Sequence, residues 1–168
     1  MAQGYGERAE PLLEQAIALA RRIGALGISG IASYTLGEVF LTRGDVRRAV
    51  WEYAGGLRFL HRVGLKDHQI TVVTMLASAV AVGRSSQAVR LLGAAEAAGE
   101  MVGYVLEPRL LGQLEQAVDQ LRSKLDPRVL ADAWVAGRAL SFDEAAAEAL
   151  ALADELALQP TEPQNPDA

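Results

Sequence analysis

Among the residues whose types could do chemistry, His61, Asp67 and His68 lie closest together, within one short stretch. A protein metal site needs three or four ligands at a spacing that one turn or one helix face can gather. This set is short of ligands, its spacing fits no standard pattern, and the chain has no cysteine. Neither a metal nor a cofactor is expected. His61 falls in the last turn of one expected helix and His68 near the start of the next, and a helix C-terminus favours a histidine in any case. The lack of cysteine also removes disulfides and thiolate catalysis.

Asp143, Glu144 and Glu148, followed by Asp154 and Glu155, form the densest carboxylate group. General acid–base catalysis needs such a group in a cleft with a matched partner. Here Asp143 and Glu144 stand in the first turn of an expected helix, where negative charge is stabilising. They read as a cap and a solvated face. No nucleophile–base pairing occurs, so the chain is expected to bind rather than to transform.

Arg47, Arg58 and Arg62 would lie within about 60° of one another on a helix at 100° per residue. That side could receive a phosphate or an acidic segment, or could be a solvated face whose stems cover apolar surface. Trp51 and Trp134 are the two candidate aromatic anchors. Gly55-Gly56 inside the same helix would cost about 2 kcal/mol against alanine. Close helix approach accounts for Gly56 and leaves Gly55 unexplained.

The 168 residues must supply the elements that position these groups, and they are 51% hydrophobic but only 5% aromatic. Ala, Leu and Val carry the apolar weight, as suits helices packed through small side chains. Ile70 to Val82 is the longest nearly apolar run, far below the roughly 20 residues that span a bilayer. No leader-like segment opens the chain, and a cytoplasmic protein without membrane contact is expected. Charge is uneven: residues 41–90 hold 8 Lys/Arg against 3 Asp/Glu, and residues 91–168 hold 5 against 14. A chain of net charge −5 is poorly suited to direct nucleic-acid binding. Its basic middle could meet an acidic partner or the chain's own acidic end.

The sequence repeats. Arg8–Gly24 aligns with Arg48–Gly64 at an offset of 40, with Arg8/Arg48, Ala9/Ala49, Arg22/Arg62 and Gly24/Gly64 in register. Arg48–Gly64 aligns with Gln87–Gly103 at an offset of 39, with Ala49/Ala88, Val50/Val89 and Gly64/Gly103 in register. Each copy reads as an amphipathic helix closed by glycine. Between the copies, Ile28–Arg43 and Asp67–Val82 read as further helices ending at Gly44 and Gly83. Asp45 is expected to cap the helix after Gly44, and Ser85 or Ser86 the one after Gly83.

Leu36-Gly37-Glu38-Val39-Phe40, then Gly44, Ala49, Tyr53 and Gly56, resemble the tetratricopeptide (TPR) pattern of large, small and aromatic positions. The next unit keeps Gly83, Ala88 and Ala95 but carries Leu76 and Leu92 at the small and aromatic sites. The resemblance implies an all-α, right-handed solenoid of antiparallel helix hairpins over 1–104. Arg8–Gly24 matches a second helix without its partner, so the chain is expected to begin inside a larger array and its copies to associate end to end. By position, the resemblance places Ile31, Tyr34, Glu38, Leu41 and Thr42, then Ile70, Val73, Ala77, Val80 and Ala81, in the concave groove. With Glu38 its one charge, that groove suits an amphipathic segment of a protein partner or an apolar small-molecule effector. Equally, the chain's own C-terminal helices could fill it.

Residues 105–158 leave the repeat and read as a helical C-terminal cap. Leu110, Leu111, Leu114, Val118, Leu121 and Leu125 fall near helical spacing after Pro108. Asp126-Pro127 opens another helix, and Ser141 with Glu144 forms a capping box opening a third. Residues 159–168, with three prolines, read as a disordered tail or linker. Ala133–Ala145, together with Arg90–Glu96, resembles the segment closing the helical-repeat region of large bacterial regulators. These are LuxR-type transcription regulators built on a signal-transducing ATPase, and related cyclase-linked proteins. The resemblance implies a non-enzymatic sensor or interaction module. No Walker loop or DNA-reading helix occurs here, so ATP hydrolysis and DNA binding are not carried over.

Overall fold

The computed structural model describes residues 3–158, with side chains from Arg8 onward. The tail expected over 159–168 lies outside the described residues. Within them the fold is all-α, with no strand. Its helices are α1 (Gln3–Arg22), α2 (Leu26–Thr42), α3 (Val46–Val63), α4 (Lys66–Val80), α5 (Ser85–Val102), α6 (Pro108–Lys124), α7 (Pro127–Arg138) and α8 (Phe142–Leu158).

Glycine sets the stops. Gly24, Gly44, Gly64 and Gly103 follow α1, α2, α3 and α5 with φ of 74°, 80°, 72° and 67°. A side chain there would be strained, so these positions end helices sharply. α4 ends at Val80 and leaves through Ala81 in right-handed conformation, so the turn that Gly83 completes needs no positive φ. Asp45 caps α3 as expected, accepting from the Arg48 amide at 3.0 Å. Neither Ser85 nor Ser86 caps α5. Its N-cap is Arg84, and the Ser85 hydroxyl donates to the Ala81 carbonyl instead. The Ser141–Glu144 box forms in both directions, each backbone amide donating to the other side chain. The Ser141 hydroxyl, and after it the Ser141 amide, donate to the Glu144 carboxylate and hold it below its ordinary value.

Consecutive helices pack on one another from α1 through α5. Between α2 and α3 the approach is close because small residues allow it. A Cβ on Gly37 would lie 2.6 Å from the Tyr53 ring, and one on Gly56 would lie 2.8 Å from the Gly30 carbonyl oxygen. Tyr53, Leu57 and Leu60 of α3 and Phe40 of α2 fill the space. Removing a large core side chain of this kind typically costs about 2–5 kcal/mol.

The last three helices wrap this stack. α7 packs on α5, α6 spans α4 and α5, and α8 lies across α3, α4 and α5. The α5–α7 crossing uses the glycine device again: a Cβ on Gly93 would lie 2.5 Å from the Trp134 carbonyl oxygen. α4 is therefore enclosed, and every residue from Gln69 through Ala77 is buried.

Candidate functional site

A cavity of about 420 Å³ lies where α4 and α5 face α6, α7 and the 103–107 connection. Ile70, Leu92, Leu106, Leu111, Leu114 and Trp134 make it predominantly apolar. Such a volume accommodates a small molecule. Pro108 starts α6 where a missing N–H costs nothing, and the spacing of Leu110, Leu111 and Leu114 turns that helix toward the cavity and the core. Glu96, Glu100 and Tyr104 bring polar atoms to the lining. Arg138 of α7 pairs with Glu96 and, at 2.6 Å, with Glu100. Its hydrogen bond holds the Glu100 carboxyl below its ordinary value. These exposed ion pairs join α5 to α7 beside the cavity and contribute little stability individually.

The expected groove divides in two. Ile31, Tyr34, Glu38 and Leu41 of α2 are partly exposed. Ile70, Val73, Ala77 and Val80 of α4, with Ala81 just after it, are buried. The expectation that this second set lines an open face is corrected. α6 on one side and α8 on another enclose α4, so the chain's own C-terminal helices fill that half. Of the set, only Ile70 reaches the apolar cavity.

The half on α2 is more polar than expected, because α6 and its approach bring charge to it. Arg109 donates to Glu38 at 2.6 Å, and the Tyr34 hydroxyl lies 3.1 Å from His68 Nδ1. Thr71 and Tyr104 share a hydrogen bond of 2.8 Å. Burial, with Glu38 nearby, raises the Tyr34 phenol above its ordinary value. The network ties the start of α6 to α2 and α4.

The arginines face the acidic end. Arg58 donates to Asp154 at 2.7 Å and Arg47 to the Ala157 carbonyl at 3.0 Å, both on α8. Arg90 holds Glu148 through its Nε and Nη2 groups, and Arg84 lies 3.8 Å from Glu155. The basic patch therefore serves α8 at two of its three positions. Glu148, Asp154 and Glu155 are ion-paired rather than merely solvated. Arg62 has no ion-pair partner among the described residues.

The histidines separate. His68 faces Tyr34, while His61 Nδ1 lies 3.1 Å from Oε1 of the buried Gln69. Among the described residues no three His, Asp or Glu side chains come together as metal ligands. Trp134 is half-buried against the core cluster and lines the apolar cavity, whereas Trp51 is 57% exposed.

Sequence reasoning missed Tyr104, Leu106, Leu111 and Arg138 as site residues. The glycine at 103 and proline at 108 bound the connection, but nothing in its composition shows that it folds over α4. No protein-family model, curated protein or solved structure matches this chain. Among the described residues no helix is long and apolar enough to cross a membrane.

Proposed function

We propose that the chain is a non-enzymatic, TPR-like sensor and interaction module of a bacterial transcription regulator. It takes an apolar small-molecule effector, or an apolar side-chain cluster of a protein partner, in the cavity beneath α6. The cavity enclosed by Ile70, Leu92, Leu111, Leu114 and Trp134 is the observation that carries this reading. The helix-hairpin order, the Gly37/Tyr53 and Gly56/Gly30 approaches and the left-handed glycine stops support a right-handed TPR-like solenoid.

The mechanism is a shift between two positions of α6. This helix buries only Leu110, Ala117 and Leu121, so its hold on the stack is limited. A ligand that binds one position better shifts the population toward it. Arg109–Glu38 and Thr71–Tyr104 carry the movement to α2 and α4. The test is thermal unfolding against a panel of fatty acids, metabolites and nucleotides. Apolar compounds should raise the midpoint saturably, and Leu114→Trp should remove the effect.

Self-association without a ligand is a second reading, supported by one observation. Leu12 and Leu19 lie on one face of α1, Ile23 follows it directly, and all three are exposed. A concentration-dependent mass, with no ligand response, would favour it.

A further inference from the structure

A second opening, an open slot of about 820 Å³, lies on the α3 side of the stack. Glu14, Ala18 and Arg21 of α1 form one wall. Trp51, Gly55 and Arg62 of α3 contribute to the other, and Leu36 of α2 forms the floor. The 40-residue offset relates this slot to one already occupied. α1, α2 and α3 stand in sequence where α3, α4 and α5 stand one repeat later. Leu36 corresponds to Leu76 of the enclosed α4. The later slot is filled by α8, which lies across α3, α4 and α5. α8 is an alanine-rich amphipathic helix that buries Phe142, Ala145, Ala146, Ala149, Leu152 and Ala153.

Gly55 points the same way. A glycine inside a helix weakens it relative to alanine, so its presence needs a reason. Gly30, Gly37, Gly56, Gly93 and Gly137 all have one, because a Cβ on any of them would come within 3 Å of a neighbouring helix. A Cβ on Gly55 would meet nothing within 4 Å. Gly112 of α6 is also open, but Gly55 lines a slot. Its counterpart in the filled slot, Ala94, is buried.

Charge along the α1–α3 slot defines the helix that fits it. At an offset of 39, Trp51 and Glu52 replace Arg90 and Leu91. Where α8 presents Glu148 to Arg90, an occupant here faces an exposed indole and a half-buried carboxylate. That carboxylate has no ion-pair partner among the described residues. Burial raises the Glu52 carboxyl above its ordinary value; Arg21 of the facing wall opposes the shift and Glu14 adds to it. A basic side chain beside Trp51 would supply the close ion pair that Glu52 lacks and stack on the indole. Arg62 calls for an acid.

We propose that the α1–α3 slot docks an amphipathic helix of a partner protein. Its small apolar residues lie on Gly55, its base lies between Trp51 and Glu52, and its acid lies at Arg62. The site is separate from the cavity beneath α6. The probe is a labelled peptide of sequence 142–158 carrying Glu148→Lys, titrated with the full chain by fluorescence anisotropy. Saturable micromolar binding is expected, weakened at least tenfold by Gly55→Leu and by Arg62→Glu. Gly112→Leu, at the other open glycine, should leave binding unchanged. No saturable binding, or binding that Gly55→Leu leaves intact, overturns the proposal. So does equal loss with Gly112→Leu. Native folding of each variant is checked by circular dichroism. Because Gly55 does not line the cavity beneath α6, the response to apolar ligands should survive Gly55→Leu.

Discussion

Gly137 of α7 passes so close to Arg90 of α5 that a Cβ on the glycine would overlap the Arg90 carbonyl oxygen. Gly93 makes the reciprocal approach to Trp134, so the crossing is held backbone to backbone from both sides. Gly137→Ala must push the helices apart, at about 2–3 kcal/mol. Roughly 5–10 °C of midpoint should be lost in a thermal scan at this chain length. An unchanged midpoint would contradict the described crossing.

Gly55→Ala should do the opposite. The added methyl meets open space and removes a helix-interior glycine, so stability should rise by about 0.5–1 kcal/mol. Comparing denaturant midpoints of the two alanine variants checks both signs at once.

Val73→Glu should unfold the chain or cost about 3–5 kcal/mol, because Val73 has no exposed surface and an unpaired carboxylate would be buried there. Far-UV circular dichroism reads the result. A helical, stable variant would return Val73 to an open groove.

Glu52→Gln should stabilise the chain modestly at pH 7. The folded-state carboxyl titrates above its unfolded value, chiefly through burial. Its ionisation therefore opposes folding once the pH exceeds the folded value. The gain should appear at neutral pH and vanish below the unfolded value of about 4.3. Partial exposure keeps the effect near a few tenths of a kcal/mol. Melting curves of both proteins at pH 4 and pH 7 measure the difference.

Much of the fold is legible in the sequence, because glycine and capping residues punctuate it. Gly24, Gly44, Gly64 and Gly103 mark four stops, Asp45 and Ser141 two starts, and the 40-residue offset finds the repeating helices. Helix type is local information. The candidate site is less legible, because it depends on which face of one helix another covers. α2 and α4 have little polar face, so periodicity cannot say that α6 and α8 enclose α4 while α2 stays partly open. The charge imbalance did contain the answer for α8: the basic residues of α3 and α5 receive Asp154 and Glu148. Ser85 misled because a serine can bond backward to the preceding turn instead of capping the next helix.

The most direct measurement of the central claim is thermal unfolding with apolar ligands, run on the native chain and on Leu114→Trp. A ligand at 100 times its dissociation constant adds about 2.7 kcal/mol of stability. The binding reading requires a saturable rise in the native chain that disappears when the indole fills the cavity. No rise with any apolar ligand, or the same rise in both proteins, would contradict it.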